Sequence, residues 1–370
     1  MTTPLLVRRS ASRRALVDEL ARRYGGRPGL GALLADLPSR AHRAPWARLL
    51  GHRVEQAWGW EAADRRTAQW WPQGVTTSGD ATALGTTPAG LGGRRVAVVS
   101  WYAKPVPGPG GKDENHGVRL TFLDLETLRY RHVLLMRPVR RDDGQVGLDP
   151  VTAHAGGIVW TGSWIHVAAT GKGCVSAHVD DLLWLPEGEE DTAHGHRWVL
   201  PTRVDHRGGV EETAPTSAQP GAEVERLRWS FLSLAAEGRQ GPSLLVGEYG
   251  RGDASTRVAR FPLSPEGLPA GSPGDRRTTY ASEVVETGVK GMQGVADVAG
   301  RLHVTTSHGP WGAGSLVTAQ HGTGLDGARW RRTAAATPMG PEDLSWSLGR
   351  LWVPTEHPRR RWLVALRPAG

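Results

Sequence analysis

The stretch "HAGGIVWTGSWIHVAAT", residues 154–170, contains two short apolar runs joined by a Gly-Ser turn. Such runs, rich in β-branched and aromatic residues, predict the two strands of a β-hairpin. The polar residue His154 stands directly before the first strand, so it lies at the end of the hairpin opposite the turn. This stretch decides the fold because the same unit recurs along the chain.

Four further copies of the hairpin are recognisable in residues 73–104, 227–252, 292–310 and 341–358. Each copy is followed by a third strand, and the first four copies are followed by a fourth. Four-stranded units that begin about 50 to 80 residues apart are typical of β-propeller blades. The sequence therefore predicts an all-β protein with a five-bladed β-propeller over residues 71–370. A pair of β-sandwiches is the alternative fold.

The first 70 residues differ, because their apolar residues recur at helical spacing. Residues 10–26, 31–37 and 45–58 are each predicted to be helical. The fifth copy lacks a fourth strand, and a propeller closes when the opposite terminus supplies that strand. Residues 4–9 and 53–60 are the two candidates. We therefore predict that residues 1–70 form a helical segment that also provides the closing strand.

Charge and hydropathy exclude several classes of protein. The net charge is +8, and residues 1–70 carry +7 of it, with 13 Arg against 6 acidic residues. These arginines lie on amphipathic helices without a nucleic-acid-binding motif, which favours a solvated face over a nucleic-acid partner. The absence of a long apolar run predicts no membrane span. Since no signal-peptide pattern is present, we expect a cytoplasmic protein. The sequence does not indicate an oligomeric state.

Residues 70–368 resemble a group of actinobacterial propeller-like proteins, many of them secreted and without a defined activity. The motifs that carry the resemblance are QGVTTSGDA, VRLTFLDLETLRYRHVLL, HAGGIVW and GPEDLSWSLGRLWVPTEHPRRRWLVAL. The architecture is also similar to that of five-bladed glycosidases of the arabinanase and levansucrase type. Those enzymes place a carboxylate at the start of several innermost strands, whereas only the fifth copy offers acids there. The resemblance therefore supports the fold and supplies no catalytic residue.

The repeat predicts where a pocket would lie. In a propeller the innermost strands begin, and the second strands end, on the same face, over the central axis. The innermost strands open with Gln73, His154, Arg228, Gln293 and the pair Glu342 and Asp343. Near the second-strand ends lie Trp101, Tyr102, Lys104, Glu248, Tyr249, His308, Trp311, Glu356 and His357. These side chains are the candidate site.

Three of these residues are candidate catalytic groups. His154 can exchange a proton near neutral pH, although a hydrogen bond to a neighbouring blade is the structural alternative. Glu342 or Asp343 would be its partner or would bind substrate, and Asp343 could instead hydrogen-bond at a strand start. The amides of Gln73 and Gln293 would orient substrate or satisfy backbone groups. Trp101 and Trp311 are expected to stack against a ligand, and the remaining residues to line the pocket.

No bound cofactor is predicted. His154, His308, Glu356 and His357 are metal-ligand types, but no short ligand spacing supports a metal site. Residues 113–117 and 194–197 are expected to be solvated loops, although His116 could fold over the pocket. The glycine-rich stretches do not follow the strand–loop–helix order of a phosphate or dinucleotide site.

These features favour an enzyme that acts on a small organic substrate by acid–base chemistry without a redox cofactor. Hydrolysis, elimination and cyclisation all fit, and specialised metabolism is the expected setting. The alternative is a non-catalytic propeller that binds carbohydrate or protein. Glycoside hydrolysis is a minor hypothesis, because paired carboxylates are not evident among the innermost strand starts.

Overall fold

The computed structural model describes residues 4–108, 112–210, 226–237, 241–320 and 329–368. Within these ranges the protein is all-β, with four short α-helices. No helix in this part of the chain is both long enough and apolar enough to cross a bilayer.

The N-terminal segment contains three of the helices. Its elements are β1 (Leu5–Arg9), α1 (Arg14–Arg23), α2 (Gly29–Ala35), β2 (Ser39–Arg40), β3 (His42–Arg43), β4 (Val54–Gly59) and α3 (Ala62–Arg66). α1 lies in the first segment predicted to be helical, and α2 overlaps the second but begins before it. Leu20 of α1 and Leu33 of α2 are fully buried, so each helix packs its apolar side against the sheets.

Residues 70–210 form two antiparallel units of four strands. The elements are β5 (Trp70–Thr77), α4 (Ser78–Thr82), β6 (Val96–Ala103), β7 (Val106–Pro107), β8 (Asp113–Glu114), β9 (Val118–Asp124), β10 (Arg129–Arg140), β11 (Val146–Pro150), β12 (Ile158–Thr161), β13 (Trp164–Ala169), β14 (Gly173–His178), β15 (Leu183–Trp184) and β16 (Trp198–Val210). The first unit is β5–β6–β9–β10 and the second is β12–β13–β14–β16. Parallel pairing of β10 with β16 joins them into one sheet.

The rest of the chain supplies β17 (Phe231–Ala235), β18 (Ser243–Gly247), β19 (Arg257–Pro262), β20 (Thr278–Tyr280), β21 (Glu283–Glu286), β22 (Met292–Val298), β23 (Arg301–Thr306), β24 (Ala313–Gln320), β25 (Arg331–Met339), β26 (Ser345–Ser347), β27 (Arg350–Pro354) and β28 (Trp362–Leu366). The third unit is β17–β18–β19–β21 and the fourth is β22–β23–β24–β25. The fifth unit is β26–β27–β28–β4, with β3 at its edge.

The innermost strands of the five units form a closed circle. β5, β12, β17, β22 and β26 contact one another in that cyclic order, and β26 returns to β5. Glycines make the close approach possible. A Cβ on Gly157 would lie 2.1 Å from the backbone nitrogen of Leu232, and one on Gly294 would lie 2.2 Å from that of Leu344. The glycines that open the innermost strands are therefore a packing requirement of the circle.

The expected closing strand is present. β4 pairs antiparallel with β28, so residues 53–60 complete the fifth unit. Residues 4–9, the other candidate, pair instead with β16 and β20, between the second and third units. Residues 277–285 accordingly divide into β20, which pairs with β1, and β21, which pairs with β19.

The predicted helix over residues 45–58 is wrong. Only Ala47–Leu50 forms a helical turn, of the 3-10 type, and the remainder becomes β4. Val54, Ala57 and Trp58 are buried against the fifth unit. The edge of β28 offers backbone hydrogen bonds and apolar contacts that local helix propensity does not outweigh.

Candidate functional site

Two glutamates form a hydrogen-bonded pair at the end of the circle where the innermost strands begin. Glu342 precedes β26, and Glu356 follows its antiparallel neighbour β27, so the hairpin brings both to the same end. Glu342 is buried, and burial, followed by the charge and hydrogen bond of Glu356, raises the pKa of Glu342 well above its ordinary value. The adjacent charge of Glu356 thus helps to keep Glu342 protonated, because two neighbouring negative charges repel each other.

Each carboxyl group of the pair is held by an amide from another unit. Gln73 Nε2 donates to Glu356 Oε2 at 3.1 Å, and Gln293 Nε2 donates to Glu342 Oε1 at 3.2 Å. Gln73 and Gln293 occupy equivalent positions in β5 and β22, as the repeat predicted. The two glutamines therefore orient the pair from opposite flanks.

Two tyrosines lie within electrostatic range of the pair. Burial, followed by the charges of Glu356 and Glu342, raises the pKa of Tyr102 to about 12. Burial also raises the pKa of Tyr249, against the opposing charge and hydrogen bond of Arg251, and both glutamates add to the rise. Both phenols consequently keep their protons at neutral pH and can donate hydrogen bonds to a molecule bound over the glutamates.

His154 lies at the rim of this site. Its imidazole ring packs on Tyr102, with ring centroids 4.5 Å apart, and its side chain is open to solvent. The next residue, Ala155, has a left-handed backbone with φ of 56°, and its carbonyl accepts a hydrogen bond from Ser100 Oγ at 2.9 Å. Partial desolvation lowers the pKa of His154. His154 therefore contacts Tyr102, whose phenol lies within electrostatic range of the two glutamates.

Asp343 joins innermost strands. Its Oδ2 accepts hydrogen bonds from the backbone nitrogens of Val75 and Ile158, both at 3.3 Å. The side chain is fully buried, which raises its pKa well above the ordinary value. Asp343 thus connects β26 to β5 and β12, in accordance with the structural alternative for this residue.

Glu248 and Arg228 belong to a separate ion cluster in the third unit. Glu248 is fully buried and accepts two hydrogen bonds from the Arg257 guanidinium, at 2.8 and 2.9 Å. Its Oε1 also accepts from the backbone nitrogen of Arg228 at 2.8 Å. Both oxygens of the Glu248 carboxylate therefore already accept hydrogen bonds from the protein.

The two candidate tryptophans lie in different environments. Trp101 is fully buried and packs against Trp60 at 5.3 Å and the Arg119 guanidinium at 4.7 Å, so it lies in the core and not at a pocket wall. Trp311 is 79% exposed and has the Arg360 guanidinium 4.6 Å from its ring. Only Trp311 is accessible to a ligand.

The remaining candidates lie around the rim. Lys104 Nζ stands 3.4 Å above the indole ring of Trp71, and the His357 ring is 5.9 Å from the same indole. His357 Nδ1 is also 3.7 Å from Glu356 Oε1. His308 Nε2 lies 2.9 Å from Ser315 Oγ, so this histidine interacts with the serine and not with the glutamate pair.

Arg361 is a residue of the site that sequence reasoning missed. It is fully buried, and its Nε donates to the backbone oxygen of Glu356 at 2.8 Å. Its Nη1 donates to the backbone oxygens of Asp64 and Thr67, at 2.8 and 2.7 Å. Burial lowers its pKa to about 10. In the sequence Arg361 is one of three consecutive arginines, so no local signal distinguishes it.

Comparisons with known proteins place the chain near several solved structures at low similarity. No family model matches, and no curated protein matches. The PQQ-bound aldose sugar dehydrogenase from Streptomyces coelicolor is 12% identical, with 90% of this chain and 99% of that chain covered and a TM-score of 0.38. The GH43_1 enzyme from Xanthomonas citri is 10% identical, with 84% and 92% covered and a TM-score of 0.40.

A third similar structure is CoXyl43, a GH43 β-xylosidase/α-arabinofuranosidase from a compost microbial metagenome. It is 9% identical, with 81% of this chain and 93% of that chain covered and a TM-score of 0.36. At TM-scores this low, the likenesses assign neither blade number nor activity to this chain. The fold rests on the strand pairing, and the site on its own geometry.

Proposed function

We propose that the five units are the blades of a five-bladed β-propeller and that the Glu342–Glu356 pair is the centre of an enzyme acting by acid–base chemistry. The observation that carries the proposal is the interaction of these two carboxyl groups, each held by a glutamine from another unit, with Glu342 buried and its pKa strongly raised. Titratable groups that converge in a cleft and have strongly shifted pKa values are typical of catalytic sites.

The pair supplies both halves of a proton exchange. The protonated carboxyl group of Glu342 can donate a proton to a leaving or carbonyl oxygen, and the carboxylate of Glu356 can remove one from a carbon or a water molecule. Hydrolysis, elimination and cyclisation each need one proton delivered and one removed. Such chemistry requires no redox cofactor.

The surrounding residues support a small polar substrate. Tyr102 and Tyr249 present phenol hydroxyls, and His154 contributes an imidazole at the rim. These donors and acceptors suit a small polar molecule with several oxygens. Glycoside hydrolysis receives less support, because its two carboxyl groups normally stand about 5 to 9 Å apart, which exceeds a hydrogen-bond contact.

The proposal is tested with a library of small polar metabolites. Ligands that raise the melting temperature of the wild-type protein are incubated with it, and the mixtures are analysed by mass spectrometry. We expect at least one ligand to be chemically converted by the wild type. Glu342→Gln and Glu356→Gln should each lower the rate at least 100-fold, the lower range of general acid–base contributions.

The matched control is Glu126→Gln, because Glu126 is an exposed glutamate in the turn between β9 and β10. It should leave the rate unchanged. If every stabilising ligand is recovered intact, the protein is a binding module. If a ligand is converted equally well by both glutamine variants, the glutamates are not the catalytic groups. His154→Ala tests the rim histidine by the same assay.

A further inference from the structure

Three side chains with metal-binding donor atoms meet on the loops of the first and second units. Glu114 belongs to β8, His116 follows it, and His194 follows the 3-10 turn Glu190–Ala193. Their donor atoms all lie within 4.8 Å of one another, and His116 Nε2 is 3.8 Å from Glu114 Oε2. The two imidazole rings lie parallel, with centroids 3.9 Å apart. None of these residues takes part in the glutamate pair.

The donor atoms lie somewhat farther apart than in a zinc centre, so the side chains must close around the ion. In a tetrahedral site with zinc–ligand bonds of about 2.1 Å, neighbouring ligand atoms are about 3.4 Å apart. Glu114 is exposed, so its side chain can move the small distance required. His194 has a left-handed backbone with φ of 49° where it ends the 3-10 turn Glu190–Ala193, and this conformation fixes the direction in which the chain leaves the turn.

A second observation concerns the support of His116. Gln69 Nε2 lies 2.8 Å from His116 Nδ1. Metal-binding histidines usually donate their second ring N–H to an oxygen, which fixes the tautomer and leaves the other nitrogen for the metal. The amide of Gln69 can present its oxygen to Nδ1 by rotation. Gln69 is itself held, since its backbone oxygen accepts from Lys104 N at 2.7 Å.

We propose that Glu114, His116 and His194 form a binding site for Zn²⁺, with a fourth position open to water or to a donor atom of a bound molecule. Two imidazoles and one carboxylate suit zinc, whereas Ca²⁺ and Mg²⁺ prefer sites made of oxygen ligands. The ion joins the loop that contains β7 and β8 to the loop before β16. It therefore cross-links the first and second units beside Gln69.

Titration calorimetry of the EDTA-treated full-length protein with ZnCl₂ tests the site. We expect one equivalent to bind with a dissociation constant of about 10⁻⁶ M or lower. His116→Ala and His194→Ala should weaken binding at least tenfold, and Gln69→Leu by about tenfold, as is typical when a ligand's supporting residue is lost. The controls are Asp113→Asn, an exposed acid beside Glu114, and His52→Ala, an exposed histidine before β4. Both should bind zinc like the wild type.

Melting curves in EDTA show whether each variant folds, and zinc should then raise the melting temperature of the wild type but not that of the histidine variants. Absence of binding at about 100 μM ZnCl₂ would refute the proposal. Undiminished affinity in the double variant His116→Ala/His194→Ala would also refute it. Equal affinity for CaCl₂ would indicate an oxygen-ligand site and overturn the assignment to zinc.

Discussion

The carboxyl groups of Glu342 and Glu356 hydrogen-bond to each other across the open end of the β26–β27 hairpin. The position of neither glutamate side chain depends on its own strand alone. Gln73, from the first unit, donates to Glu356, and Gln293, from the fourth unit, donates to Glu342. The arrangement therefore depends on the closed circle of innermost strands, and it gives the site a titratable proton that can be followed experimentally.

Glu356→Gln should lower the pKa of Glu342. Burial is the main cause of the raised pKa, and the charge and hydrogen bond of Glu356 add to it. Removing that charge, and offering an amide donor in its place, favours the ionised form of Glu342. Carbon-13 NMR of labelled glutamate, recorded against pH, measures the change. An unaltered titration of Glu342 would mean that Glu356 does not contribute to its raised pKa.

Asp80→Asn should remove part of the pH dependence of stability. Asp80 is buried beneath the hydroxyls of Thr76 and Ser345, and burial raises its pKa from 3.8 to about 6. The folded protein therefore binds a proton that the unfolded chain releases near pH 4, so this contribution to stability is complete below pH 3.8 and is lost as pH rises through 6.

The corresponding loss is about 3 kcal/mol by pH 7. Asparagine retains an oxygen for the same donors and does not titrate. The free energy of unfolding of Asp80→Asn, relative to the wild type, should thus increase by up to about 3 kcal/mol between pH 4 and pH 7. Urea denaturation at four pH values measures this difference. Parallel pH profiles would contradict the prediction.

Gly157→Ala should destabilise the circle of innermost strands. The added Cβ would lie 2.1 Å from the backbone nitrogen of Leu232, and a backbone atom cannot rotate away. We expect a loss of about 3 kcal/mol or more in guanidinium denaturation. Gly31→Ala in α2 is the control, because its Cβ meets no atom closer than 3.4 Å. It should be neutral or stabilising by up to about 1 kcal/mol, and equal effects at the two sites would count against the close approach.

Trp58→Ala tests the contribution of the closing strand. Trp58 of β4 is buried and stacks on Trp352 of β27, with ring centroids 5.3 Å apart. Its truncation should cost about 3 to 5 kcal/mol. Trp311→Ala removes an indole that is 79% exposed and should change stability by less than about 0.5 kcal/mol. Thermal unfolding followed by circular dichroism compares the two, and a small effect of Trp58→Ala would show that β4 adds little to closure.

The sequence predicted the candidate site in part. The repeat predicts that Gln73 and Gln293 are equivalent. Both contact the glutamate pair, because equivalent positions of the innermost strands lie at the same level along the central axis. His154 was the leading catalytic candidate, whereas the structure places it at the rim against Tyr102. The contact between Glu342 and Glu356 could not be derived, because it depends on side-chain directions at the ends of a hairpin.

The sequence by itself determined the order of the hairpins, the positions of most strands and the lack of one outer strand at the C-terminal end. These follow from local patterns, since the alternation of apolar residues and the turn residues act over a few positions. Only the tertiary structure decided which N-terminal segment pairs with β28 and which polar side chains meet at the axis. Gln73 and Glu356 are 283 residues apart in the sequence. Gln73 Nε2 lies 3.1 Å from Glu356 Oε2 only because the circle of innermost strands closes.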